Sequence, residues 1–417
     1  MIRTSSMPDA SKALGVMSPL EGIRVLDVSR FLAGPYAGWI LAELGADVIK
    51  VEDPDRPDEA RSVGPFFVQD QSLYFAALNS GKRSLAVRLR ESDGRALFLD
   101  LVRTADVVLD NHKPGAMDRL GLGHEVLARQ NPAIVTCSLS GFGATGSLRE
   151  RAGYDYTIQA MSGVMSMTGE PDASPGKAGI SYVDHSGGVT AALAVCAALV
   201  KRSRTGHGGH VDLALFDIQM SMLSYLAAWQ LNAGFIGERT SSASHPSLVP
   251  AQNFATSDGH VSIFVGNDAM WKRLAEALDD PFLSQEQFAT SEGRRQSRGP
   301  LIEHLARLIS TRLSQELVVL LERHHVPCAR VNDLEQALLE PQVSERGMLA
   351  EATHPSYGSY RFVRGPLSQL AAHDVQPAPI LGEHTIAVLK EAGISETRVR
   401  ALMDQGTVAV PPETGSQ

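Results

Sequence analysis

The sequence predicts an α/β protein whose larger part is a doubly wound, mostly parallel sheet. Two patterns lead there: short runs of Val, Ile and Leu alternate with segments of helical period from Ile23 to Leu139, and small-residue turns separate them. A chain of 417 residues is also long for one hydrophobic core, so more than one domain is expected.

The first 18 residues contain Ser, Ala and Met without an apolar stretch long enough for a signal peptide, and are expected to form a flexible N-terminal tail. RVLDV, a helix through Gly38-Trp39-Ile40-Leu41-Ala42, and DVIKVE then make a βαβ opening. A helix around Gly94 to Thr104, a strand at Asp106 to Asp110, a helix at His124 to Gln130 and a strand at Ala133 to Leu139 continue the alternation. Gly179 to Val183 reads as a strand and Gly187 to Val200 as a buried helix, ended by the basic run from Lys201 and by Gly206. His210 to Leu213 restarts a strand. Helical sequence runs from Phe216 to about Asn232, a Ser-rich loop follows at Thr240 to Ser247, and Ser257-Asp258-Gly259 turns a hairpin. Two amphipathic helices, MWKRLAEAL and LIEHLARLISTRLSQELVVLLERH, come next, and EHTIAVLKEAG supplies another near the C-terminus. The expected layout is a large domain begun by 19–225, a smaller α+β domain at 226–345, and a return to the large domain over 346–417.

Hydrophobic residues make up 43% and charged residues 20%, and the net charge of −9 is spread without acidic or basic blocks. Nucleic-acid and membrane surfaces are therefore not expected, and the longest apolar run, Gly187 to Val200, is too short to span a bilayer. Cys137, Cys196 and Cys328 are isolated, which fits a soluble protein of the reducing cytoplasm. His207 and His210, and His324, His325 and Cys328, lack the converging third and fourth ligands that a metal needs, so no metal is expected.

Asp184 lies at the junction of the Gly179 strand and the following helix. There the helix N-terminus favours the ionised carboxylate, and Gly187 and Gly188 leave room for a ligand near the backbone. An N-cap and a nucleophile are both consistent with that position. In the βαβ opening, Gly34 and Glu52 suggest a dinucleotide site, but Tyr36 occupies the second glycine of the G-x-G-x-x-G fingerprint, which speaks against NAD or FAD. Lys82, Arg83, Lys113 and Arg119 are solvated charges or candidates to hold phosphate at the strand ends. Met161, Met165 and Met167 are core packing or the lining of a flexible acyl pocket.

Taken together, PLEGIRVLDVSRFLAGPYAGWILAELGADVIKVE, LYFAALNSGKRS, DNHKPGAMDRLGLG, GYDYTIQAMSGVMSMTG, the Asp184 junction, TGHGGHVDLALFD, VPCARVNDL and PAPILGEHT resemble the family III CoA-transferases of the carnitine and bile-acid (CaiB/BaiF) type over about residues 19 to 405. The resemblance implies a Rossmann-like large domain formed from both chain ends, a smaller inserted domain, and an intertwined homodimer. It implies Asp184 as the nucleophile, with aspartyl anhydride and aspartyl-CoA thioester intermediates, and acyl-CoA and a small carboxylic acid as substrates rather than bound cofactors. Backbone amides near Gly187 and Gly188 are expected to hold the oxyanion. Tyr154, Asp155 and Tyr74 fall where the formyl-CoA transferases place Tyr, Glu and Tyr around the acyl group. Asn111, His112, Lys113 and Arg119 fall on the segment that meets the CoA nucleotide, with Arg83 a further candidate.

The same family contains α-methylacyl-CoA racemases, which use a His-Asp pair in Gly-His-Asp. Here Tyr154 replaces that histidine, and a phenol of ordinary pKa near ~10 is a poor partner for an α-proton, so transfer is favoured. The residues also admit a silent CoA-binding subunit or a dinucleotide oxidoreductase. Leu32 stands where the formyl-CoA:oxalate enzymes have glutamine, and SHPSLVPAQ replaces their glycine run, which points to a larger acyl group such as succinyl.

Overall fold

The computed structural model describes residues 17–370 and 375–412, so the tail expected over 1–18 lies outside the described residues up to residue 16. The chain forms two compact units. One comprises the residues up to Ile158, Ile180–Ser224 and those from Gln342 onward; the other comprises Gln159–Gly179 and Tyr225–Pro341.

In the first unit the elements follow the order β1 (Arg24–Asp27), α1 (Ala33–Glu43), β2 (Asp47–Glu52), α2 (Leu73–Asn79), β3 (Arg83–Val87), α3 (Ser92–Val102), β4 (Val107–Asp110), α4 (His124–Gln130), β5 (Val135–Ser140), α5 (Tyr182–Thr205), β6 (Gly209–Ala214) and α6 (Leu215–Met222). The sheet order is β3-β2-β1-β4-β5-β6, all parallel, and Val408–Ala409 adds an antiparallel strand beside β3. The order reverses between β1 and β4, which opens a crevice at the carboxyl ends of those strands. Successive residues alternate between two cores: Val25, Val107 and Val135 face α1 and α5, while Leu26, Ile49, Leu85 and Val108 face α3. Burial on both faces explains why the strands read as continuous apolar runs.

Several elements differ from the sequence expectation. Gly179 to Val183 is not a strand, because α5 already begins at Tyr182. Strand propensity at Tyr182 and Val183 is overridden when Val183 donates its amide hydrogen to Asp155 Oδ1 at 3.0 Å and buries its side chain against α1. With this extra turn and its basic tail, α5 has 24 residues, and its most apolar 18-residue window has a mean hydropathy of 1.5, long and apolar enough to cross a membrane by length and composition. Its buried residues, among them Gly187, Gly188, Ala191, Ala192 and Val195, form the stripe that packs on α1. The helix expected over 216–232 breaks at Ser224, which has φ 42°.

The second unit has a three-stranded antiparallel sheet of Ala251–Ala255, His260–Phe264 and Cys328–Arg330. Its core is built around Trp271, Leu274, Phe288, Leu305 and Leu321. The long helix expected from Leu301 is two helices, Arg298–Ser310 and Ser314–Arg323. The hairpin turn causes the break: Asp258 accepts from the Ser314 amide at 2.8 Å and hydroxyl at 2.7 Å, and Ser257 donates its amide to the Arg312 carbonyl. In SHPSLVPAQ, His245 Nδ1 accepts from the amides of Ser247 and Leu248, each at 3.1 Å, and Arg298 donates to the His245 carbonyl.

Inside the first unit lie two buried ion pairs. Lys82 Nζ donates to Asp27 Oδ2, the Pro35 carbonyl and Asn79 Oδ1 at 2.8, 2.8 and 2.9 Å. Lys50 Nζ donates to the Ser29 carbonyl and pairs with Asp58 Oδ2, both at 2.8 Å. Burial pushes the Lys82 ammonium down to about 8, against the opposing pull of Asp27. Lys82 is thus a core residue and not the phosphate ligand considered from the sequence. Lys82→Met leaves Asp27 buried without its partner, and a loss of about 3–5 kcal/mol is expected in urea unfolding. Adding Asp27→Asn to that variant is expected to recover part of the loss.

Candidate active site

The loop from β1 to α1 is held at almost every backbone polar group by a side chain from elsewhere in the unit. Asp27 accepts from the Ser29 amide, and Lys50 donates to the Ser29 carbonyl. Asn111 accepts from the Arg30 amide at 2.8 Å and donates to the Arg30 carbonyl at 2.7 Å. Asp58 Oδ1 accepts from the Phe31 amide at 2.9 Å. Gly34 and Gly38 of the degenerate fingerprint serve this packing: a Cβ on Gly34 would meet Ser29 Cβ at 2.3 Å, and one on Gly38 would meet Asp27 Oδ2 at 2.6 Å. Glu52, the candidate ribose ligand of a dinucleotide site, is instead occupied by Arg61, which donates to both its oxygens, and by the Asp58 amide. Leu32, expected beside the acyl group, is buried at the start of α1.

Asp184 sits half-buried in the first turn of α5, where the helix dipole favours its charge. Asp155 is buried, and by accepting from Val183 it caps α5 from outside the helix. Tyr74, on α2, feels the Asp184 charge: burial first, then Asp184 and Asp58, raise its hydroxyl well above the ordinary value of 10.0, so it stays a proton donor at neutral pH. The structure therefore gathers Tyr74, Asp155 and Asp184 around the start of α5. Tyr154, which precedes Asp155, is 65% exposed.

Gly187 and Gly188 require correction. Lying beyond the first turn of α5, they direct their amides to the carbonyls one turn back, as helix geometry dictates, and cannot serve as oxyanion donors. Their lack of a side chain serves helix packing. A Cβ on Gly188 would lie 2.7 Å from the Ala33 carbonyl oxygen, and one on Gly187 would lie 2.4 Å from Leu215 Cδ2.

At the carboxyl ends of β1, β2, β3 and β4 lies an open cleft of about 610 Å³, counting the solvent at its mouth, lined in part by Arg30, Asp53, Arg56, Arg90 and His112. Of the expected nucleotide contacts, His112 lines it, and burial lowers the imidazole pKa so that the ring is neutral at neutral pH. Asn111 uses its amide group on the Arg30 backbone, which makes it a loop clamp. Lys113, on the turn after β4 where Gly115 has φ 75°, and Arg119, at the end of the short helix Ala116–Arg119 that follows, are exposed. Arg83 is misassigned by the sequence reading: it lies at the amino end of β3, the edge opposite the cleft, and pairs with Asp47 and Glu391 at 2.9 and 2.8 Å. Arg30, Arg56 and Arg90 were missed. Each follows the carboxyl end of a sheet strand within a few residues, and the rule that open α/β sheets bind ligands there would have singled them out. Among the described residues, no group of three or more His, Cys, Asp or Glu is placed to hold a metal.

Residues 20–385 match the model of CoA-transferase family III. The succinate–glutarate CoA-transferase of Agrobacterium fabrum is 39% identical over 386 residues, covering 89% of this chain and 95% of its own. Human succinyl-CoA:glutarate CoA-transferase is 35% identical, covering 90% of this chain and 86% of its own. A crystal structure of a CaiB/BaiF family protein from Brucella suis superposes with a TM-score of 0.79 at 37% identity, covering 90% of this chain and all of that one. The chain belongs to CoA-transferase family III and is a CoA-transferase.

Because Gly188 acts through helix packing, Gly188→Ala is expected to lower stability by about 1–3 kcal/mol, read as a fall in melting temperature. The affinity for CoA should be unchanged in the variant that remains folded at low temperature.

Proposed function

We propose that the enzyme moves CoA between dicarboxylic acids, with succinyl-CoA as a donor, through covalent intermediates on Asp184. The observation that carries this reading is the placement of Asp184 in the first turn of α5, where its charge reaches the Tyr74 hydroxyl and helps to keep it protonated. The names of the relatives, which act on succinate and glutarate or their CoA esters, support the substrate class and favour transfer over racemisation.

An Asp184 oxygen attacks the thioester carbonyl, and collapse of the tetrahedral intermediate expels CoA thiolate and leaves an acyl-aspartyl anhydride. The thiolate then attacks the Asp184 carbonyl carbon of that anhydride, releasing the donor acid and forming an aspartyl-CoA thioester. The acceptor carboxylate repeats both steps in reverse order, so no ATP is consumed and every bond broken is matched by one formed. Negative charge moves from the Asp184 carboxylate to the thioester oxygen in the tetrahedral intermediate and then to the departing CoA sulfur. Tyr74 is the donor suited to meet it on the oxygen. Asp155 positions the helix that carries the nucleophile.

The CoA nucleotide is assigned to the cleft, where Arg30, Arg56 and Arg90 supply positive charge in a chain of net charge −9. A second copy of the chain is assigned to the outer face of α5, where Val189, Leu193 and Val200 are 51%, 68% and 53% exposed.

Incubation with succinyl-CoA followed by peptide mass spectrometry is expected to show a CoA adduct on the Asp184 peptide that is absent from Asp184→Ala; equal exchange activity in that variant would falsify the mechanism. Arg30→Ala and Arg90→Ala are each expected to raise KM for succinyl-CoA about tenfold with kcat little changed, and to weaken its dependence on salt. Unchanged KM in both variants would place the nucleotide elsewhere.

A further inference from the structure

Phe31 has φ 69°, in the left-handed region that residues with a Cβ avoid. Asp58 holds its amide and Asn111 holds both polar groups of Arg30, so the surrounding side chains impose this conformation. The consequence is directional. Arg30 lines the cleft, while Phe31, the next residue, sets its ring edge-on to Tyr74 with centroids 5.9 Å apart and planes at 64°. At 43% exposure that ring belongs to no core cluster, and burial alone gives no reason for it to stand there. Tyr74 is the phenol beside the nucleophile, and a donor to a developing oxyanion acts only when held within a few tenths of an ångström of its place.

We propose that Phe31 is a positioning residue for the transfer reaction: its ring, aimed by the imposed left-handed backbone, fixes the Tyr74 hydroxyl at Asp184. Because Phe31 adjoins Arg30, the same clamped loop places the phenol and one wall of the cleft in a single rigid piece. The proposal rests on the reading of Asp184 as the nucleophile.

Phe31→Gly tests it, since glycine suits the backbone and removes only the ring. Rapid-quench mass spectrometry with succinyl-CoA should show the Asp184 adduct forming about 10- to 100-fold more slowly, with CoA affinity and melting temperature held. Phe31→Tyr should restore the rate. Phe31→Gly combined with Tyr74→Phe should be no slower than Tyr74→Phe alone, because the ring acts only through the phenol. A wild-type adduct rate in Phe31→Gly, a parallel fall in CoA affinity, no rescue by Phe31→Tyr, or multiplicative losses in the double variant would overturn the proposal. Absence of any Asp184 adduct in the wild type would instead overturn the reading of the nucleophile, and the proposal with it.

Discussion

Two ammonium groups buried beneath the β1–α1 loop are the constraint on which this structure turns. Lys50 and Lys82 are fully enclosed, and taking such charges out of water is costly unless each ammonium meets a carboxylate and further polar acceptors. The acceptors are Asp27, Asp58 and Asn79, together with the carbonyls of Ser29 and Pro35, which belong to the loop and the start of α1. Solvating the lysines and shaping the loop are thus one event. Hydrophobic packing alone would tolerate several loop conformations, whereas a buried charge with fixed partners selects one, and that selection supports a left-handed Phe31 costing about 1–3 kcal/mol.

The same economy governs α5. Small residues on its inner stripe bring it close to α1, Asp155 binds its first turn, and Asp184 emerges where the packing ends. Its length reflects two separate demands on one helix. One stripe faces the sheet and α1, while the other carries exposed Val189, Leu193 and Val200. Apolar residues on both sides give a composition resembling that of a membrane span, although 33% of its most apolar window is already buried inside the protein.

Much of this was legible in the residues. The strands Arg24–Asp27, Asp47–Glu52, Val107–Asp110 and Val135–Ser140 appear where the alternation placed them, with boundaries shifted by only a few residues, because strands buried on both faces carry a strong apolar signal, whereas α2 and β3 were not singled out. Asp184 could be singled out because a carboxylate before a small-residue helix is a local pattern. What could not be read depends on partners distant in sequence. The start of α5 is decided by Asp155, the break at Arg312 by Asp258, and the fates of Lys82 and Arg83 by Asp27, Asp47 and Glu391. Adjacent in sequence, Lys82 and Arg83 looked alike; one lies under a loop and the other at the far edge of the sheet.

Val408–Ala409, the short antiparallel strand beside β3, bears on how the protein is made. During synthesis β1 to β6 leave the ribosome first, then the whole of Tyr225–Pro341, and only afterwards the residues that cover the open edge of β3 and bring Glu391 to Arg24 and Arg83. For that interval the nascent sheet presents an unpaired edge, the surface most prone to wrong pairing. The final seal is therefore a contact of very large sequence separation, which makes completion of the sheet slow and dependent on the last segment of the described chain.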